Sequence, residues 1–376
     1  MRGRDEERIK RLCSALDQAG IDIFIGSGPY MRYILGSDVD YAYAYATRGG
    51  EVGVLCSLLE MERARDATWA DRVFAFTGLK EPTGEDIIKA RSLQEAVPGL
   101  IERVIGPKGV VGIDYTVVSF SEASALRRRL RGYRVRNVHR LLREVRAVKS
   151  PAELEAIKRA VRIVSEGISH GIMMVREGVS EREIYLESEY FMKSIGADRV
   201  HEFLIVASGP NSAYPHGRPT ERKLSPGDPV TLDYVASSNG YFADLTRTVF
   251  LKPVGQELRR IYEVVEEALG AGIDAVADGV EASEVDRVVR ERIAKSGYGR
   301  YFIHSTGHGI GLEVHEHPRI SSAEKAVLKA GMVVTIEPGI YVKGLGGVRI
   351  EEDVVVEKGG ARVLSSGLSR ELLILG

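Results

Sequence analysis

Asp233 and Asp244 stand on either side of a short polar stretch that can bring their carboxylates together. Val230-Thr-Leu-Asp-Tyr-Val235 and Tyr241-Phe-Ala-Asp-Leu-Thr-Arg-Thr-Val-Phe250 have the composition of strands, and Ser237-Ser-Asn-Gly240 between them is a hairpin signal. A two-residue turn at Ser238-Asn239 sets position 233 opposite 244. A turn at Asn239-Gly240 instead leaves both on one face, because their separation is odd. Like charges side by side on a ladder are destabilising, and a divalent cation is the natural compensation. The alternative is a solvated edge hairpin carrying two harmless acids.

Two further acids and an imidazole complete a ligand set. Glu337 ends a strand-like run, and Glu351 follows a glycine-rich turn (Gly344, Gly346, Gly347) within Val348-Arg-Ile-Glu-Glu-Asp-Val-Val-Val356, which reads as one strand. Four of the eight histidines crowd into residues 304–317, where Gly307, Gly309 and Gly311 allow close backbone approach around His308. Four carboxylates cannot all ionise in a dry site, whereas two divalent ions would match them charge for charge.

An internal repeat explains how distant acids would meet. Leu224-Ser-Pro-Gly-Asp-Pro-Val-Thr-Leu-Asp233 aligns without a gap with Leu328-Lys-Ala-Gly-Met-Val-Val-Thr-Ile-Glu337, an offset of 104 residues. Upstream, Gly178-Val-Ser-Glu-Arg-Glu-Ile184 resembles Gly279-Val-Glu-Ala-Ser-Glu-Val285. Residues 150–250 and 254–357 therefore each read as two helices followed by strands, one unit duplicated about a pseudo-two-fold axis, with Asp233 and Glu337 at equivalent positions. Helices open at Ser150-Pro-Ala-Glu153 and Ser180-Glu-Arg-Glu183, both capping boxes. The first third alternates helix and strand: a helix over 5–19, strands at 21–25, 51–56 and 110–113, and a helix over 121–131. The expected architecture is α+β, with a small α/β domain over 1–148 and a larger repeat domain over 149–376. The alternating Tyr41-Ala-Tyr-Ala-Tyr45 reads as packing within the first domain, or as lining for an interface or substrate entrance.

Composition bounds the partners. With 376 residues and a net charge of −1, the chain offers no electrostatic grip on nucleic acid or an anionic membrane. No apolar run approaches the roughly 20 residues of a membrane span, and the charged first residues do not read as a signal peptide. Cys13 and Cys56 are too few for a disulfide framework, so a cytoplasmic setting is expected. Asparagine occurs only at 137, 211 and 239 and glutamine only at 18, 94 and 256, a depletion of thermolabile amides that fits a thermophile.

At this point the sequence resembles the pita-bread metallopeptidases, the group that includes prolidase, Xaa-Pro aminopeptidase and methionine aminopeptidase. The matching segments are Ile205 to His216, Asp233 to Thr248, His304 to Pro318, Thr335 to Tyr341, and Val348 to Glu351; Tyr33-Ile-Leu-Gly36 and Lys149-Ser-Pro-Ala-Glu153 extend the likeness to a creatinase-type first domain. The resemblance implies a pita-bread catalytic domain and a homodimer. It implies that Asp233 chelates one metal ion, His308 and Glu337 the other, and that Asp244 and Glu351 bridge both, with Mn, Co or Zn suited to oxygen-rich ligands and one imidazole. His216, His304 and His315 would contact substrate or support the ligands, Glu337 would also move the proton, and Arg349 would orient Glu351.

Within that group methionine aminopeptidase lacks the first domain and creatinase lacks the ligand set, so the resemblance implies a peptidase acting on short proline-containing peptides. Arg319, in His315-Glu-His-Pro-Arg, stands where prolidases carry an arginine able to bind a dipeptide carboxylate. It favours a dipeptidase over an aminopeptidase; a non-peptidase amidohydrolase or scaffold of this fold is a further alternative. One departure bears on specificity: Glu202-Phe203-Leu204 replaces the Phe-Asp-Thr or Phe-Asp-Ser usual in relatives.

Overall fold

A computed structural model describes residues 3–202 and 204–376. The chain divides into two compact units, one ending at Arg146 and the other beginning at Ala147.

The first unit is a mixed sheet whose strands lie in the order Ile87–Lys89, Arg72–Thr77, Val52–Ser57, Ala42–Thr47, Ile23–Gly26, Val110–Ile113, Arg134–Asn137. Ala42–Thr47 runs antiparallel to both neighbours, and the outer pairs are parallel. Tyr43 and Tyr45 are fully buried against Phe74, Leu100 and Ile23. That is the packing role expected of the tyrosine stripe. Tyr41 stands apart from it: it precedes the strand, takes a positive φ of 48° and is exposed.

The second unit repeats itself. Helices Pro151–Met174 and Glu181–Ser194 are followed by strands Pro229–Ser238 and Tyr241–Leu251; helices Gln256–Ala275 and Ala282–Lys295 are followed by strands Val333–Ile336 and Glu352–Glu357. Both expected capping boxes form, at Ser150 with Glu153 and Ser180 with Glu183. The interhelix connections use the same hydrogen bonds twice. Gly178 N–H donates to Leu224 O and Leu224 N–H to Val179 O; Gly279 N–H donates to Leu328 O and Leu328 N–H to Val280 O. Each glycine has positive φ, 81° and 89°, which explains why the repeat shares glycine there. Under the second half lies a core of Leu258, Ile261, Val265, Leu269, Val289, Ile336 and Val354, which also takes in Ala147.

Residues 348–356 are not one strand. Gly346–Arg349 pairs with Gly339–Val342, whereas Glu352–Glu357 pairs with Val333–Ile336. The chain changes partner at Ile350-Glu351, and Glu351 N–H donates instead to Thr246 O at 3.1 Å. Periodicity within one segment does not register a change of partner, so the break is invisible in sequence. Among the described residues, no helix is long and apolar enough to cross a membrane.

Candidate metal centre

The hairpin turns at Asn239-Gly240, with φ of 52° and 77°, the double positive of a type I′ turn. Asp233 consequently faces Thr246, and Asp244 faces Val235. The direct 233–244 pairing is the register not adopted; the two acids lie diagonally on one face. The second repeat supplies the rest from across the fold. His308 is in the short strand Gly307–Gly309, Glu337 directly follows Val333–Ile336, and Glu351 occupies the partner switch.

Asp244, His308 and Glu351 each bring one ligand atom within 4.8 Å of the others. His308 Nε2 is 3.7 Å from Asp244 Oδ2 and 3.4 Å from Glu337 Oε1. Its Nδ1 lies 3.1 Å from Gly309 O, which can only accept, so Nδ1 carries the proton and Nε2 presents its lone pair to the acids. Thr246 donates to Glu351 Oε2 at 2.7 Å, and Thr335 donates to Glu337 Oε1 at 3.3 Å while accepting from His308 N–H. Arg349 donates to Asp233 Oδ2 at 2.6 Å and, through Nε, to Thr246 Oγ1 at 3.2 Å, while its charge also opposes the rise of Glu351. Arg349, expected to orient Glu351, hydrogen-bonds Asp233 directly and is linked to Glu351 by hydrogen bonds through Thr246.

Burial, then repulsion by Glu351, Asp233 and Glu337, drives Asp244 well above the ordinary carboxylate range. Burial and the neighbouring acids do the same to Glu351. Burial pushes Glu337 up to about 7, with Arg349 opposing and Asp233 adding to the rise. His308 is pushed down to about 3 by burial first and His315 second, so it is neutral as a ligand must be. A buried group of mutually repelling carboxylates around one neutral imidazole, its lone pair inward, is a donor set that fits divalent cations.

The remaining residues surround this cluster unequally. His315 packs its ring against His308 with centroids 4.3 Å apart and is exposed on its other side. Arg319, exposed, lies opposite His308 in the strand pairing and its Nε donates to Ser305 Oγ at 3.3 Å. His216 is exposed on the segment after the turn Gly209–Ala213, and its charge is among those lowering His304 and His315. His304 has both ring nitrogens occupied: Nδ1 donates to Ser305 O at 2.8 Å, and Nε2 accepts from Tyr341 OH at 2.9 Å. Tyr341 in turn accepts from Arg349 Nη1 at 2.7 Å. Of the Glu202-Phe203-Leu204 departure, Phe203 lies outside the described residues; Glu202 is exposed and Leu204 buried.

Against this geometry, the comparisons are direct. The model of metallopeptidase family M24 matches residues 155–358, and that of the creatinase/prolidase N-terminal domain matches residues 8–148. The chain belongs to metallopeptidase family M24. This M24 peptidase is 35% identical over 369 residues to an Xaa-Pro dipeptidase of Pyrococcus furiosus, covering 98% of this chain and 100% of that one. Its fold matches an Xaa-Pro dipeptidase from Bacillus anthracis with a TM-score of 0.88 at 33% identity, covering 98% and 99% of the two chains. It also matches an X-Pro aminopeptidase from Thermotoga maritima, TM-score 0.85 at 28% identity, covering 98% and 100%.

Four supporting residues of the M24 chain escaped the sequence reading: Thr246, Thr335, Tyr341 and Asp286. Thr246 and Thr335 lie two residues from Asp244 and Glu337, so strand alternation alone assigns them to the ligand face. Asp286 carried no such signal. Buried in the helix Ala282–Lys295, it accepts from Thr306 N and Oγ1 and from Arg290 Nε, and Arg290 donates to the carbonyl of His304.

Proposed function

We propose that this M24 peptidase hydrolyses Xaa-Pro dipeptides, with Asp233, Asp244, His308, Glu337 and Glu351 holding two divalent cations of the Mn, Co or Zn type. The observation that carries the reading is the buried convergence of Asp244, His308 and Glu351, with Glu337 3.4 Å from His308 and Asp233 on the hairpin face of Asp244, in a chain similar over 98% of its length to Xaa-Pro dipeptidases. Asp233 would serve one ion, His308 and Glu337 the other, with Asp244 and Glu351 shared between them. When bound, such a pair of ions supplies an activated water and polarises the scissile carbonyl.

The chain's own groups account for proton movement and orientation. Glu337 would accept the proton of the attacking water and deliver it to the leaving nitrogen. That delivery matters for a prolyl nitrogen, which is tertiary and carries no N–H. His315, with one side exposed, can donate a hydrogen bond to the carbonyl oxygen. His304 is committed to Ser305 and Tyr341, which favours it as a brace over a donor to substrate. Arg319 would pair with the free carboxylate of the dipeptide, and His216 would contact substrate from the facing loop. A cytoplasmic homodimer is the accompanying proposal, resting on cysteine usage and on the family likeness.

The test is release of proline from Ala-Pro and Met-Pro with Mn or Co supplied, set against Ala-Pro-Ala. Arg319→Ala is expected to lower kcat/KM on the dipeptides by roughly 10- to 100-fold, the worth of a charged hydrogen-bonded contact, and to leave the tripeptide rate unmoved. Failure to cleave either dipeptide would overturn the reading. Preference for Ala-Pro-Ala would make the enzyme an Xaa-Pro aminopeptidase, which the Thermotoga maritima likeness keeps in view.

A further inference from the structure

Lys149 is a buried lysine with no part in the chemistry above. Its side chain is 1% exposed, and its ammonium sits 3.1 Å from Glu316 Oε2, a carboxylate 6% exposed. Stability alone is a poor reason for such a pair, because two desolvated charges do no better than apolar residues of similar volume. Its position suggests another reason. Glu316 directly follows His315, and its second oxygen accepts from Glu313 N–H at 3.2 Å, closing the 311–316 loop on itself. Gly311 lies flat against the same carboxylate, where a Cβ would stand 2.6 Å from Glu316 Oε2. Gly311 O also accepts from Phe242 N–H at 2.7 Å, two residues from Asp244.

The other end of the pair is equally fixed. Lys149 N–H donates to Gly331 O at 2.9 Å, and Val148 forms a bridge with Met332, immediately before the strand Val333–Ile336 that runs into Glu337. One turn further, Glu153 Oε1 accepts from Tyr241 OH at 2.8 Å on the strand that carries Asp244. The backbone of residues 148–153 is thus pinned to the elements bearing Glu337 and Asp244, and the Lys149 side chain reaches from it to the loop bearing His315.

We propose that Lys149 is a positioning residue for His315: through Glu316 it fixes the 311–316 loop so that the His315 ring stands against His308. This rests on the peptidase reading only in assigning His315 a role in turnover.

The experiment uses the metal-loaded full chain and follows kcat and KM on Ala-Pro, bound metal and melting temperature. Lys149→Met is expected to lower kcat by about a hundredfold, the cost of a misplaced group near the reacting atoms, with KM and metal content near wild type. Lys149→Arg should recover part of kcat. In a His315→Ala background, Lys149→Met should cost nothing further, because the residue it positions is gone. Lys149→Met/Glu316→Leu removes both charges and should restore the melting temperature but not kcat. Restoration of kcat together with stability, or an undiminished Lys149→Met loss in the His315→Ala background, would overturn the proposal. If the wild-type chain cleaves no Xaa-Pro bond, the functional reading fails by itself. The positioning claim is then decided by a crystal structure of Lys149→Met/Glu316→Leu: a displaced 311–316 loop supports it, and an unmoved loop overturns it.

Discussion

Asp244, Glu337 and Glu351 are held above their ordinary range by burial and by neighbouring acids, Asp233 among them, and this has a sign that can be measured. A carboxyl whose folded pKa exceeds its unfolded value keeps its full contribution below the unfolded value, near 4.5 for Glu337, and loses it as pH rises through about 7. The buried histidines act oppositely. His308 and His304, pushed down to about 3 and about 4 from 6.5, bind protons better unfolded, so they favour the folded state as pH climbs toward 6.5. Above 6.5 the effect of the histidines fades within about one pH unit and the acids dominate. Protein stripped with EDTA is therefore expected to lose melting temperature as the pH rises from about 6.5 through 7 and beyond. Protein loaded with Mn should hold its melting temperature across the same interval, since the cations balance the carboxylates. Parallel profiles with and without metal in a fluorescence melt would refute the electrostatic account of the cluster.

At the scale of elements, the site depends on two strands approaching more closely than side chains allow. Gly307 lies so near the Thr335 carbonyl that a Cβ there would overlap it. Gly307→Ala must push Gly307–Gly309 from the backbone between Thr335 and Glu337, carrying His308 away from Glu337. A loss of about 3 kcal/mol in urea unfolding, the upper end for overpacking, is expected together with weaker Mn binding. Unchanged stability would mean the strands have slack that the structure denies them. The same elements mark how far the sequence could be read. The capping boxes, the repeat and the shared face of Asp233 and Asp244 were legible because each depends on local chemistry or on parity. Which of two turns closes the hairpin was not, because both preserve parity; Asn239-Gly240 prevails by accommodating two positive φ angles. The break at Ile350-Glu351 and the anchoring of His304 by Asp286 and Arg290 were hidden for a different reason. Both depend on partners far away in sequence.

At the scale of the whole molecule, duplication makes the two halves converge, and the composition bears on the temperature at which they stay together. The few amides that remain are mostly held by specific bonds. Asn211 donates to Glu181, Gln94 to Glu122 and Gln18 to Ser14, Asn137 accepts from His139 N–H, and Asn239 takes the positive φ of the hairpin turn. An amide kept only where geometry uses it is the pattern expected when spare amides are a liability, as deamidation at high temperature makes them. The exposed charges point the same way. Arg287 bridges Glu284 and Glu291 along one helix, and Arg63 joins Asp40 to Glu60. Isolated surface pairs contribute little at 25 °C, but linked ones gain as the cost of desolvating charge falls with heating. The metal-loaded chain is therefore expected to melt above the ~45–65 °C of mesophile domains in a calorimetric scan. Its margin should shrink when salt screens those surface networks and leaves the buried pairs of Arg247 with Glu352 and Lys149 with Glu316 intact. A midpoint inside the mesophile range would leave the amide depletion as a bias of composition without a thermal cause.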